Sequence, residues 1–214
     1  MLRVRSALRL LSAAAVVWAL TTIAVSAEPA SQTVQVDQPG VKISPTLYGI
    51  FFEEINLAGD GGLYAELVRN RSFEDGAKPD HWKLEIGSGA KGEMAVEPRQ
   101  PATRFNRQAL RLKVTEAGGG KVAVTNGGYF GIALVKDALY ELSLMARAGE
   151  GFAGPLAVSL ENTDGTRCFA QAQINGLTAE WKAFSLQLKS NATDPQARLA
   201  IAAAQPGTVW LDMV

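Results

Sequence analysis

The side chains best placed to do chemistry in this 214-residue chain are two adjacent carboxylates, Glu53 and Glu54, which close the apolar run at 47–52. Side chains alternate across a strand, so Leu47, Gly49, Phe51 and Glu53 share one face and Tyr48, Ile50, Phe52 and Glu54 the other. The two carboxylates then point apart. Cleaving a glycosidic bond needs two carboxyl groups flanking one sugar, about 5 Å apart for retention and about 6.5–9.5 Å for inversion, and strand neighbours cannot flank one bond that way. The pair is not a catalytic dyad, which leaves ligand binding or a solvated acidic pair at a strand end. A single histidine, His81, excludes a His-rich metal site and a Ser-His-Asp triad, and a single Cys168 excludes an internal disulfide.

The elements that must position Glu53 are compressed into 43–75. Ser44-Pro45 opens the run, whose lack of polar alternation is that of a strand buried on both faces. The loop Ala58-Gly59-Asp60-Gly61-Gly62 follows, and Leu63, Tyr64, Leu67 and Val68 then recur at helical spacing, which predicts one βα unit. Ahead of it, Arg3, Arg5 and Arg9 precede an apolar stretch that ends in Val25-Ser26-Ala27, the pattern of a cleaved secretory signal peptide over 1–27. A short alternating run at 33–36 predicts an isolated strand. Equal numbers of basic and acidic side chains, 21 of each, argue against nucleic acid or an anionic membrane as partner and favour a neutral ligand.

From about residue 70 the pattern becomes all-β. Leu110, Leu112 and Val114 alternate with Arg111 and Lys113; Tyr140, Leu142, Leu144 and Ala146, then Leu156, Val158 and Leu160, then Phe184, Leu186 and Leu188, and last Val209, Leu211 and Met213 recur at the same two-residue period. Turn signals such as Gly118-Gly119-Gly120 and Asn162-Thr163-Asp164-Gly165 separate them. About eight to ten strands in this arrangement predict a β-sandwich.

The stretch LYGIFFEEIN, followed by GGLYAELVRNRSFE, resembles the N-terminal signature of the family 51 glycoside hydrolases, the α-L-arabinofuranosidases. The resemblance implies that 47–52 is the first strand of a (β/α)8 barrel and that Glu53, two residues after the first Phe, hydrogen-bonds arabinose hydroxyls. An inward carboxylate at the C-terminal end of a barrel strand suits that binding role. The segments NRSFEDGAKPDHW, ALRLKV, ALYELSLMARAG, LTAEWKAFSLQL and TVWLDMV resemble the jelly-roll carbohydrate-binding modules of the families 4 and 9 type. Longer arabinofuranosidases carry such a module directly after the first βα unit, so the two resemblances come in the order that architecture implies.

Sugars present apolar CH faces beside their hydroxyls, so rings flanked by polar groups are the expected contacts. Tyr140 shares a face with Leu142 and belongs to the core, and Trp181 matches a structural Trp of the module. Trp210, opposite Val209 and Leu211, is left open, and Tyr129 and Phe130, after Asn126-Gly127-Gly128, are candidates for a rim contact. The jelly-roll resemblance also implies a structural calcium held by Glu74 and Asp212, although Met213 stands where a second acid usually follows.

The expected fold is thus mainly β: a jelly-roll sandwich over 70–214, preceded over 28–69 by a strand and one βα unit of an incomplete barrel. A barrel takes about 250 residues, so it does not fit beside the sandwich. The family's acid/base is a Glu following Asn, and no Asn-Glu dipeptide occurs in the sequence. The alternation running to Val214 adds to the expectation of an amino-terminal fragment. Two functions follow as expectations: the leading part of a secreted, retaining α-L-arabinofuranosidase acting on arabinan or arabinoxylan without its catalytic carboxylates, or a non-catalytic secreted protein binding plant cell-wall polysaccharide or arabino-oligosaccharide. Neither needs a cofactor other than the calcium, or a membrane once the leader is cleaved.

Overall fold

A computed structural model describes residues 30–49, 51–98, 102–149, 151–152 and 154–214; the leader expected at 1–27 lies outside the described residues. Alternation in the sequence becomes eleven strands among them: β1 (Trp82–Ile86), β2 (Lys91–Pro98), β3 (Gln108–Glu116), β4 (Val122–Asn126), β5 (Ile132–Leu134), β6 (Leu139–Ala148), β7 (Leu156–Glu161), β8 (Cys168–Ile174), β9 (Lys182–Lys189), β10 (Asp194–Ala203) and β11 (Gly207–Asp212). No helix forms among the described residues.

The strands make two antiparallel sheets. The first runs β1-β4-β10-β7-β8, with β5 pairing the outer end of β10; the second runs β2-β3-β11-β6-β9. This is the jelly-roll-like sandwich expected from the sequence. Val124 pairs with Ile201 and Ile201 with Val158, which puts three branched side chains in one row on the inner face of the first sheet. Across the gap, Leu112 pairs with Val209 on the second sheet, and both sets belong to one core with Leu144, Leu188 and Leu211. Each fully buried side chain of this size contributes about 1.5–3 kcal/mol, so these rows hold the sheets together.

β1, β2 and β5 lie outside the strands read from the sequence. β2 contains Gly92 and Ala95 and leaves no position fully buried, so its apolar period is faint, and β5 has three residues. Tyr140 packs on the core as expected, its hydroxyl donating to the Ala133 carbonyl at 3.0 Å and accepting from the Val135 N–H at 2.8 Å.

Contacts divide the chain into two units, Met1–Phe51 and Phe52–Val214. In the first, turns close at Gln38 N–H on the Gln35 carbonyl and at Leu47 N–H on the Ser44 carbonyl. The strands expected at 33–36 and 47–52 form no ladder among the described residues, and Ile50 lies outside them. In the second unit the helix expected after Gly62 is replaced by turns and one bridge, Asp60 to Tyr64. The reason is physical. A strand without hydrogen-bonded neighbours gains no ladder, and a helix of two turns does not repay nucleation unless its apolar face is buried. Here Leu63, Tyr64 and Leu67 stay exposed and only Val68 is covered.

The segment leading into the sandwich is tied down by side chains. Asn70 is buried, its Nδ2 donating to the Asp80 carbonyl at 3.0 Å, while its own carbonyl accepts from Trp82 Nε1 at 3.1 Å. The Trp82 ring lies 5.4 Å from that of Phe73, which is fully buried. The Val214 N–H donates to the Arg71 carbonyl at 3.0 Å, so the end of β11 returns beside the segment that begins the sandwich.

Candidate functional site

Glu53 and Glu54 follow the unpaired run, and their surroundings differ. Glu54 is engaged, one oxygen accepting from the Asp60 N–H at 3.2 Å, whereas Glu53 is exposed and its side chain has no bonding partner among the described residues. Because 51–55 forms no strand, the alternation that set the two side chains on opposite faces does not apply here. Glu53 is thus free to meet a hydroxyl, but its backbone is not held by a ladder.

Glu74 and Asp212 are brought near each other by the loop before β3. Asp212 is fully buried on the outer face of the second sheet, and its oxygens accept from Asn106 Nδ2 (3.0 and 3.1 Å), the Ala102 N–H (3.2 Å) and the Met213 N–H (2.8 Å). Glu74 Oε1 accepts from the N–H groups of Arg107 (2.6 Å) and Gln108 (2.9 Å). Burial pushes the Asp212 carboxyl above the usual carboxylate range, and the nearby charge of Glu74 adds to the rise, against the pull of its N–H donors. Three of the four carboxylate oxygens of the pair thus accept from N–H donors of the chain. No group of three or more His, Cys, Asp or Glu side chains converges among the described residues. The pair acts as a clamp that ties residues 102–108 to β11 and to the segment at Glu74.

The aromatic candidates divide between the two sheets. Tyr129 and Phe130 sit on the loop between β4 and β5. Tyr129 is half-covered: Gly61 packs against its ring so closely that a Cβ there would come within 2.7 Å, and Arg69 lies 5.8 Å from its centroid. Burial pushes the Tyr129 phenol up, and the charges of Asp60 and Glu66 push the same way. Phe130 stands open at 73% exposure, its carbonyl accepting from Gln196 Nε2 at 3.0 Å.

Trp210 lies on the outer face of the second sheet, as alternation with Val209 and Leu211 predicts. It pairs with Arg111 on β3 and Arg147 on β6. Its Nε1 donates to Glu97 at 2.7 Å, and the Arg147 guanidinium covers the ring at 4.2 Å while also lying 5.7 Å from Trp181. Trp181 is thus half-buried beside this row, not in the core as the resemblance implied. The correction follows from register: Ala146 pairs with Lys182, so Trp181 comes beside Arg147 on the wet face. Arg111 also pairs with Glu93 and Glu97, both at 2.8 Å, and its hydrogen bond and charge hold Glu93 below the usual range. Arg147 and Glu97 were not singled out from the sequence, because only the order β2-β3-β11-β6-β9 makes them neighbours of Trp210.

No family model matches the chain. Over 195 residues it is 36% identical to alpha-L-arabinofuranosidase 1 of Arabidopsis thaliana, a match covering 85% of this chain and 28% of that protein. An extracellular exo-alpha-L-arabinofuranosidase of Streptomyces chartreusis is 36% identical over 213 residues, or 98% of this chain and 24% of that protein. Among solved structures, an arabinose-bound family 51 α-L-arabinofuranosidase matches with a TM-score of 0.66 and 32% identity, over 78% of this chain and 28% of that one. A family 4 carbohydrate-binding module matches with a TM-score of 0.50 and 16% identity, over 69% of this chain and 96% of that module, a likeness of fold alone. The chain spans about a quarter of the length of the curated relatives it matches. Along most of its length, then, the chain is homologous to the α-L-arabinofuranosidases of glycoside hydrolase family 51.

Proposed function

We propose that the chain is the leading part of an exported α-L-arabinofuranosidase that removes arabinofuranosyl units from arabinose-containing plant polysaccharides, arabinan or arabinoxylan. The observation that carries this reading is homology at 36% identity over 195 residues to an enzyme of that name, joined to a structural match with an arabinose-bound relative. Glu53 serves as a sugar-binding carboxylate and not as acid, base or nucleophile, since it is exposed and has no carboxylate partner positioned across a sugar. Catalytic carboxylates come from the part of the relatives that this chain does not span. Export is supported by the arginine-led apolar pattern at 1–27 and by the extracellular relative.

Residues 70–214 act in this reading as an insert within the longer protein. The bond from Val214 N–H to the Arg71 carbonyl supports it, because a domain whose two ends lie together can interrupt another without stretching it. Phe130 and Tyr129 on one sheet and Trp210 on the other are the ring contacts available to a glycan. Phe130 offers a free face, while one face of Trp210 is taken by Arg147. A non-catalytic carbohydrate-binding role for the sandwich alone is supported by the family 4 fold likeness.

The experiment is an assay of residues 28–214 and, separately, of a longer enzyme that includes them, on arabinan, arabinoxylan and xylan. The short chain is expected to release no arabinose; the longer enzyme should release it and lose most of its kcat/KM with Glu53→Ala. Turnover by the repurified short chain that disappears on substituting one of its own Asp or Glu residues would overturn this reading. So would a longer enzyme inactive on all three polymers.

A further inference from the structure

The loop that joins β4 to β5 is laced to the segment that carries Glu53 and Glu54, and all of these residues belong to the unit Phe52–Val214. Asn126, at the end of β4, has no exposure. Its Nδ2 donates to the Arg69 carbonyl at 2.9 Å, and its Oδ1 accepts from the N–H groups of Arg69 (3.3 Å) and Gly128 (2.8 Å). Gly128, at φ +66°, passes so near that a Cβ on it would come within 2.5 Å of the Leu67 carbonyl oxygen. These contacts fix where residues 67–69 meet the sandwich.

From that anchor the contacts run back to the carboxylates. Arg71 lies 3.6 Å from Glu66 and 5.7 Å from the Tyr64 ring centroid, and a bridge joins Tyr64 to Asp60. Gly61, at φ +79°, lies against the Tyr129 ring, where a Cβ would meet three ring carbons at 2.7–2.9 Å. The Arg69 guanidinium, 5.8 Å from the centroid of the same ring, ties it to the anchored side. The Asp60 N–H donates to Glu54, whose carboxylate also covers Gly59. Glu53 is the adjoining residue. An aromatic ring turns about only two side-chain bonds, so Tyr129 is a stiff stop for a glycine loop. The seat is a packing contact and needs no backbone ladder.

We propose that Tyr129 is a positioning residue: by seating Gly61 it sets the loop at 58–62 and, through the bond from Asp60 to Glu54, the place of Glu53. A loop of the sandwich thereby adjusts how the leading segment takes its sugar. The inference rests on the sugar-binding role proposed for Glu53, and it adds a residue that acts on that role without supplying the carboxylate.

The kinetics of the longer enzyme on a chromogenic arabinofuranoside test it, because a substrate of one sugar has no second unit to stack on Tyr129. Tyr129→Ala and Gly61→Ala are each expected to raise KM about tenfold while kcat stays within about twofold, the pattern of lost substrate binding. Tyr129→Phe, which keeps the ring, should stay within about twofold of the natural enzyme, as should Lys189→Ala on the second sheet. The two alanines together should cost no more than the worse of them alone, since both break one seat. Circular dichroism checks folding, and should Tyr129→Ala not fold, Gly61→Ala decides. A second readout needs no activity: in the full 214-residue chain the Tyr129 ring current should move the Gly61 Hα resonances upfield, and Tyr129→Ala should return them to the position of an unstructured glycine. An active longer enzyme whose KM ignores both alanine variants overturns the proposal alone, as do effects of the two that multiply or a Gly61 with no upfield shift. A longer enzyme that leaves the arabinofuranoside intact overturns the reading of Glu53 and this inference together.

Discussion

Leu142 and Leu144 on β6 are buried, while Leu47 and Phe51 in the leading segment are 70% and 88% exposed. Both stretches are apolar and both read as strands, yet only one became a strand. β6 is bonded on one side to β11 and on the other to β9, and its inner residues meet the opposite sheet. The run at 47–52 has no such neighbour among the described residues. An apolar run therefore specifies an environment it requires, and the fold appears only where the rest of the chain supplies that environment.

The largest effect that would sharpen this contrast comes from core truncation. Leu211→Ala or Ile201→Ala, both at sites with no exposure, should cost about 2–5 kcal/mol of unfolding free energy in urea. Leu47→Ala and Phe51→Ala should change it by less than about 0.5 kcal/mol. A loss above about 2 kcal/mol from Phe51→Ala would mean that the leading segment packs in solution, and the contrast would fail.

Next in size is the clamp at the start of the sandwich. Asn70→Ala removes the donor to the Asp80 carbonyl and should cost about 1–3 kcal/mol in the same measurement. An unchanged midpoint would show that this segment is as loosely held as residues 43–67.

The smallest expected effect is a pH dependence at Asp212. Burial raises its folded carboxyl above the unfolded value, so the folded chain holds the proton more tightly. The stabilisation linked to that proton is fully present below the ordinary Asp range and is lost as pH rises through the raised value. The melting-temperature advantage of the natural chain over Asp212→Asn should therefore grow as pH is lowered from neutrality. An advantage that shrinks with falling pH would mean that the N–H donors outweigh burial at this site.

Alternation was enough to place Leu110, Leu142, Leu156 and Leu211 in the core, because a two-residue period needs only one buried face to be visible. It could not supply sheet order, since β3 pairs with β11 nearly a hundred residues away. The aromatic-cation row of Trp210, Arg147 and Trp181 was therefore illegible, and Trp181 fell on the wrong face. The clamp of Asn106 on Asp212 was equally hidden: the sequence shows an acid at a motif position, but not that N–H groups surround it. The Glu85, Arg198 and Glu161 set joins three strands that no local pattern connects.

The sandwich pairs its strands into two sheets, while residues 43–64 find no ladder partner among the described residues. Hydrogen exchange on the full chain, read residue by residue, tests it most directly. Strong protection is expected across β6 and β10, and exchange close to that of an unstructured peptide across 43–64. Protection at Leu47, Phe51 and Phe52 equal to that at Leu142 and Leu144 would contradict the claim.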